Sequence, residues 1–129
     1  MVGDVLLDTN IAILILNRQL DLNQKRREGF QAFLCLTVVG ELLFGAGRSL
    51  RPEANRQKVL DLVELCPAIP ADLGVARRYG ELKSDLLRRG RPIPENDLWI
   101  AAFSLRHDLT LVTRDRHFDP IDGLKIEAW

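Results

Sequence analysis

The sequence predicts an α/β domain in which a central parallel sheet is flanked by helices. Short apolar runs of strand length, such as DVLL at residues 4–7, alternate with longer segments whose apolar residues recur every three or four positions. This alternation is typical of strand–helix–strand units, in which the strands run parallel. A chain of 129 residues is long enough to bury one substantial core, so we expect a single domain over residues 1–129.

Two strand–helix pairs are predicted in the first half of the chain. The strand at residues 4–7 leads into a short helix from about Thr9 to Asn17. A second strand, AFLCL, leads into the helical segment TVVGELLFGAG, with Val38, Leu42 and Gly45 on its buried face and Gly47 as its stop. The polar stretch between the pairs, DLNQKRREG, is predicted to be a loop with some helix.

Three further helices and a strand are predicted in the second half. The first helix opens with Pro52, the second covers PADLGVARRYGELKSDLLRRG, and the third covers PENDLWIAAFSLRHD. A strand at LTLVT, a loop at RDRHFDP and a terminal strand or tail at GLKIEAW complete the chain. The apolar stripe predicted on the second of these helices consists of Leu73, Ala76, Tyr79, Leu82 and Leu86.

The net charge says little about function, whereas the predominance of arginine among the cationic residues is informative. Eighteen Lys and Arg balance eighteen Asp and Glu, but fourteen of the cations are Arg, the side chain that pairs bidentately with phosphate. Cys35 and Cys66 lie in apolar surroundings and are predicted to be buried small hydrophobic residues. No secretory signal or segment long enough to span a bilayer stands out, so a cytoplasmic location is expected.

Four carboxylates are predicted to approach one another. Asp8 ends the first strand, Asp115 follows the LTLVT strand, and Asp97 lies in the first turn of the PENDLW helix. Because the carboxyl ends of parallel strands meet at one edge of a sheet, these three acids should share that edge. Glu41 lies in the apolar stretch VVGELLF, where a carboxylate is costly to bury without a compensating partner.

Each acid alone has a purely structural explanation. Asp8 suits a helix cap, Asp97 a favourable charge at a helix N-terminus, and Asp115 a turn former, while Glu41 can pair with an Arg. As a group, however, the acids repel one another unless a cation neutralises them. Oxygen ligands suit Mg²⁺ or Mn²⁺, which can activate a water and hold a phosphodiester oxygen.

The segments LLDTNI, TVVGELLFGA, NDLWIAA and LVTRDRHF resemble, in order and spacing, the four acidic motifs of PIN-domain ribonucleases. Among these the chain is most similar to the VapC toxins of bacterial toxin–antitoxin pairs, and its tail GLKIEAW resembles those of VapC toxins that cut initiator tRNA. The resemblance implies a three-layer PIN-like fold. It also implies a metal-dependent endoribonuclease that cleaves tRNA at a loop, with initiator tRNA as one candidate.

The resemblance assigns roles residue by residue. The metal-binding acids fall on Asp8, Glu41, Asp97 and Asp115. Thr113 matches a threonine whose hydroxyl orients a carboxylate or a metal-bound water, and Thr9 matches the small polar residue after the first acid. We expect Thr9 or Asn10 to cap the first helix while Asp8 points at the ion. Many relatives carry an acid where this chain has His117, which makes Asp119 the nearby accessory candidate.

A nuclease must also grip a polyanion, and arginines are the candidates for this contact. We predict phosphate contacts from Arg88, Arg89 and Arg91, and from Arg114 and Arg116 on either side of Asp115. The resemblance further implies a homodimer and a cognate VapB-type antitoxin that blocks the site. The alternative is a catalytically silent PIN-like module that binds RNA or a protein partner, although retention of all four acids argues against it. A phosphotransfer domain with Asp8 as nucleophile is disfavoured because position 10 is Asn rather than a second acid.

Overall fold

A five-stranded parallel sheet forms the centre of the computed structural model, which describes residues 3–129. The strands are β1 (Asp4–Leu7), β2 (Gln31–Cys35), β3 (Ala68–Ile69), β4 (Thr110–Val112) and β5 (Ile126–Glu127). The helices are α1 (Thr9–Leu16), α2 (Leu22–Arg27), α3 (Leu36–Gly47), α4 (Pro52–Leu65), α5 (Leu73–Arg88) and α6 (Glu95–Arg106), and a 3₁₀ turn covers Arg116–Phe118. The predicted α/β class, a parallel sheet flanked by helices, is confirmed.

The order of the strands brings the ends of β1, β2 and β4 together. The order across the sheet is β3-β2-β1-β4-β5, with β1 at the centre. Val5 lies opposite Ala32 of β2, and Leu6 lies opposite Leu111 of β4. The residues that follow these three strands therefore emerge side by side at one edge of the sheet.

Helix α6 lies in the core rather than on the surface. Its apolar side chains are buried around most of its circumference, and they include Leu98, Ala101 and Ala102. Ile100 and Phe103 are also fully buried, whereas Leu105 is only partly so. A helix that is apolar on all sides belongs in the interior. The position of Asp97 in the first turn of α6 is therefore set by a tightly packed element.

The apolar stripe predicted on α5 was wrong in part. Leu73 is 82% exposed and Ala76 is exposed as well, whereas the buried residues of this helix are Val75 and Leu86. Asp72 caps this helix by accepting a hydrogen bond from the backbone N–H of Val75 at 2.9 Å. The helix ends just before Gly90, whose φ of +68° is a conformation that favours glycine.

Smaller differences concern local register and one short strand. In α3 the buried face carries Ala46 rather than the predicted Gly45, because Val38, Leu42 and Ala46 recur every four residues. The two-residue strand β3 was not predicted, since it pairs only with the end of β2. The predicted Cys35 and Cys66 environments are confirmed. Both thiols are free and buried, and burial raises the pKa of each to about 11.

Among residues 3–129, the helices are all too short or too polar to cross a membrane.

Candidate functional site

Asp8 is a buried carboxylate at the carboxyl end of β1. Its exposed fraction is only 5%, and both of its oxygens are held. Oδ1 accepts a hydrogen bond from the backbone N–H of Thr9 at 2.8 Å, and Oδ2 accepts one from the hydroxyl of Thr113 at 2.6 Å. Asp8 is therefore itself the N-cap of α1, which corrects the expectation that Thr9 or Asn10 would cap this helix.

The electrostatic state of Asp8 reflects its burial. Loss of solvent raises the pKa of Asp8 above its ordinary value, and the negative charges of Asp115 and Glu41 act in the same direction. The hydrogen bonds from Thr113 and Thr9 lower this pKa and oppose the effect of burial only in part. A cation placed beside Asp8 would favour its ionised form.

Glu41 reaches the same place from the second turn of α3. The hydroxyl of Thr9 donates to its Oε1 at 2.6 Å, and the side-chain amide of Asn96 lies 3.3 Å from its Oε2. Among the described residues Glu41 forms no salt bridge, so the alternative of an arginine partner is not borne out. Its compensation comes from neutral hydrogen-bond donors instead.

Asp97 and Asp115 complete the group, with His117 placed between them. The Nδ1 atom of His117 lies 2.9 Å from Asp97 Oδ2 and 3.1 Å from Asp115 Oδ2. Asp115 is held through its backbone N–H, which donates to the Thr113 hydroxyl at 3.0 Å. Burial raises the pKa of Asp97, the hydrogen bond to His117 lowers it, and the charges of Asp8 and Asp115 raise it further.

All four predicted carboxylates line one cleft of about 220 Å³, which we call the acidic cleft. It is lined by Asp8, Thr9, Asn10, Ile13, Glu41, Asp97 and Asp115. Oxygen atoms of several acids face one space, and the ligand atoms of Asp97, Asp115 and His117 lie within 4.8 Å of one another. Like charges at this separation are unfavourable without a counter-ion, so the donor set fits a divalent cation.

Two of the predicted RNA-contacting arginines lie next to the acidic cleft. Arg91 and Arg116 line a pocket of about 430 Å³, which we call the basic pocket. His117 and Asp119 also line it, and the two spaces adjoin where His117 contacts Asp97 and Asp115 of the acidic cleft. Asp119, the proposed accessory acid, lies 3.3 Å from the Arg116 guanidinium and does not line the acidic cleft.

The other three predicted arginines line neither the acidic cleft nor the basic pocket. Arg88 is exposed and lies 3.4 Å from Asp85. Arg89 pairs with the same carboxylate at 2.9 Å and also donates to the backbone carbonyl of Pro120 at 2.7 Å. Arg114 donates from Nε to the backbone oxygen of Trp129 at 2.8 Å. The contacts of Arg89 with Pro120 and of Arg114 with Trp129 tie segments of the fold together, whereas that of Arg88 lies within α5.

Three residues at the site were not identified from the sequence. His117 lies in the predicted RDRHFDP loop, and its position two residues after Asp115 in a short turn is the signal that points to it. Nothing in the sequence singles out Asn96, whose side chain bonds Glu41. The Oδ1 of Asn10, on the wall of the acidic cleft, is buried and has no hydrogen-bond partner within residues 3–129. No local sequence signal indicates this Asn10 environment.

Comparison with known protein families agrees with this geometry. The model of the PIN domain matches residues 5–124, which is most of the chain. The chain belongs to the PIN-domain family. The predicted resemblance is thereby confirmed, and the acidic cleft lies within the matched region of this PIN domain.

Individual relatives place the PIN domain with the VapC proteins. The chain is 31% identical over 127 residues to the tRNA(fMet)-specific endonuclease VapC of Shigella flexneri, covering 96% of each chain. It is 30% identical over 128 residues to ribonuclease VapC2 of Haemophilus influenzae, again covering 96% of each. At this identity and coverage it belongs to the VapC group.

Solved structures give the same result. VapBC of Salmonella typhimurium bound to DNA matches with a TM-score of 0.88 and 28% identity, covering all of this chain and 99% of the other. VapBC-1 of nontypeable Haemophilus influenzae matches with a TM-score of 0.87 and 27% identity, covering all of this chain and 98% of the other. The three-layer PIN fold is therefore confirmed.

Proposed function

We propose that this chain, as a single PIN domain over residues 1–129, is the toxin of a toxin–antitoxin pair and a divalent-metal-dependent endoribonuclease. The observation that carries the proposal is the meeting of Asp8, Glu41, Asp97 and Asp115 in the acidic cleft. Relatives along nearly the full length are named as ribonucleases or endonucleases, and two of them are named for tRNA(fMet). We extend that substrate class, tRNA and initiator tRNA in particular, to this protein.

Mg²⁺ or Mn²⁺ is the proposed cofactor, held by the four carboxylates of the acidic cleft. When bound, such an ion supplies a nucleophile at neutral pH and stabilises charge on the reacting phosphodiester. The protein contributes a fixed set of oxygen donors. The Thr113 hydroxyl and the Thr9 N–H hold the two oxygens of Asp8, and the Thr9 hydroxyl holds Glu41. Polar partners of this kind orient metal ligands.

Arg91 and Arg116 are proposed to bind the RNA backbone beside the scissile bond. Both line the basic pocket, which adjoins the acidic cleft at His117. A polyanion lying across this boundary places one phosphate near the acids and a neighbouring phosphate near the guanidinium groups. Because Arg116 is 90% exposed, its side chain is free to move toward a phosphate.

A VapB-type antitoxin is the proposed protein partner, since the structural neighbours described above are VapBC complexes. A basic side chain of such a partner would neutralise the clustered carboxylates and block access to them. The predicted homodimer remains part of this proposal. Light scattering of the purified toxin, with and without its antitoxin, would measure both assemblies.

Cleavage of total tRNA by the antitoxin-free protein tests the proposed function. We expect discrete fragments with Mg²⁺ or Mn²⁺, none with EDTA, and at least a roughly hundredfold loss of cleavage in Asp97→Asn, because that variant removes an anionic metal ligand. Asp61→Asn is the matched control, since Asp61 is a surface carboxylate that bonds only Gln57 among the described residues.

Two results would contradict the proposal. Cleavage by Asp97→Asn at nearly the wild-type rate would remove the acidic cleft from the reaction. A folded, metal-loaded protein that bound tRNA without cutting it would support the alternative of a silent binding module.

A further inference from the structure

We propose that His117 is a ligand of the metal in the acidic cleft, and that its nitrogen makes the site prefer Mn²⁺ or a similar transition-metal ion to Mg²⁺. The inference rests on the proposed metal-dependent function and goes beyond it. It adds a ligand that is not among the four acids and predicts which ions the site selects.

The contacts of the imidazole are the first argument. A single atom, Nδ1, faces carboxylate oxygens from two separate elements, at 2.9 Å for Asp97 and 3.1 Å for Asp115. One N–H on that atom can donate fully to only one of them. A cation at this point would serve all three atoms together. Ligands about 2.1 Å from one octahedral ion lie roughly 3 Å apart when they are neighbours, which agrees with both separations.

The backbone is the second argument, because it holds the imidazole at the cleft. His117 belongs to the 3₁₀ turn that begins after Asp115, and its backbone N–H donates to Asp115 Oδ1 at 2.9 Å. That bond leaves Asp115 Oδ2 on the side where the imidazole lies. The next residue, Phe118, is fully buried and anchors the turn. The ligand atom is therefore positioned by the fold, although half of its side chain is exposed.

The chemistry of the donor set gives the selectivity. Mg²⁺ strongly prefers oxygen ligands, whereas imidazole suits transition-metal ions. Three or four carboxylates with one imidazole remain suitable for Mn²⁺ and become less favourable for Mg²⁺ relative to an all-oxygen set. Replacement of His117 should therefore affect the two ions differently, which a purely structural role for the imidazole would not do.

Pulsed electron paramagnetic resonance of the Mn²⁺-loaded, untagged full chain tests ligation directly, without reference to activity. We expect nitrogen-14 modulation typical of a coordinated imidazole in the wild type, and its loss in His117→Gln. The control is His107→Gln, which removes the other histidine of the chain, at the C-terminus of α6, and should keep the modulation. Absent modulation in the wild type, or modulation that persists in His117→Gln, would overturn the proposal.

Calorimetric titration with Mn²⁺ and Mg²⁺ tests the selectivity. His117→Gln should weaken Mn²⁺ binding by roughly tenfold or more, and Mg²⁺ binding by no more than about twofold. His117→Asp should restore an oxygen ligand and shift the preference toward Mg²⁺. Equal losses for both ions would overturn the selectivity, and circular dichroism would establish that each variant is folded.

The same titrations separate this inference from the proposed function. Mn²⁺ binding that needs Asp97 but is unaffected by His117→Gln would overturn the histidine ligand and leave the metal-dependent nuclease intact. A wild-type protein that bound neither ion would overturn both.

Discussion

The acidic cleft and the basic pocket adjoin at His117, yet they are built in opposite ways. Asp8 in the cleft is 5% exposed and has both oxygens hydrogen-bonded, whereas Arg116 in the pocket is 90% exposed with one exposed ion pair. The cleft draws its residues from strand ends and a buried helix; the pocket draws its arginines from surface segments. Metal ligands need a fixed geometry, whereas binding of phosphates depends mainly on charge and tolerates mobile side chains.

The strongest test of this contrast is removal of the hydroxyl that holds Asp8. In Thr113→Val the buried Oδ2 of Asp8 loses its donor, and Asp115 loses the acceptor for its backbone N–H. We expect cleavage to fall by roughly 10- to 100-fold, the usual cost of removing a partner of a metal ligand. The measurement is the single-turnover rate of RNA cleavage at saturating Mn²⁺.

Thr110→Val is the control for that change. It makes the same substitution three residues earlier, at the start of β4, where the side chain is partly buried and forms no hydrogen bond within residues 3–129. Its rate should stay close to that of the wild type. Similar losses in the two variants would show that the Thr113 hydroxyl has no special role in orienting Asp8.

A smaller effect is expected from the basic pocket. Arg91→Gln should weaken RNA binding across all sequences, and the slope of log affinity against log salt should fall by about one, because one phosphate contact is lost. The cleavage rate at saturating RNA should change little. Filter binding at several salt concentrations measures this slope.

Variants of Arg88 and Arg89 serve as controls for Arg91→Gln. Arg88→Gln alters an exposed side chain outside the basic pocket and should leave the slope unchanged. Arg89→Ala removes the hydrogen bond to the Pro120 carbonyl and should lower the melting temperature instead. An unchanged salt slope in Arg91→Gln would remove the basic pocket from the RNA path.

The smallest predicted effect concerns the stability of the metal-free protein. Because the pKa of Asp97 is raised in the folded state, its contribution to the free energy of unfolding is present at low pH and is lost as the pH rises through that pKa. Asp97→Asn has no carboxyl group to ionise, so its free energy of unfolding does not fall in this way. We expect its melting temperature near neutral pH to be a few degrees higher, since about 1 kcal/mol corresponds to roughly 4 °C for a domain of this size.

Scanning calorimetry in EDTA at pH 4 and pH 7 measures that difference. The stabilisation should be larger at pH 7 than at pH 4, because the charge that it removes is absent at low pH. A melting temperature that fell equally at both pH values would show that Asp97 stabilises the fold and is not held there against repulsion.

The α/β class and the shared edge of Asp8, Asp97 and Asp115 were predictable from local patterns, whereas the place of Glu41 was implied only by the resemblance to PIN-domain ribonucleases. Strand-length apolar runs that alternate with helical periodicity predict a parallel sheet, and a parallel sheet brings the carboxyl ends of its strands to one edge. Asp8 and Asp115 follow two such strands, which became the neighbours β1 and β4. Chain order alone therefore determined that these acids share an edge, because backbone geometry carries the constraint.

Tertiary packing decided the rest. It buried Val75 instead of Ala76, attached Arg89 to Pro120, bonded Asp8 to Thr113 and placed His117 against Asp97. Each of these outcomes depends on side-chain partners whose distances are not encoded in local periodicity. Asp97 and His117 are twenty residues apart in the chain and meet only because a buried helix and a short turn pack at the same edge of the sheet. Sequence periodicity determines which face of an element is apolar, whereas the partner of a long polar side chain is determined only when the elements pack.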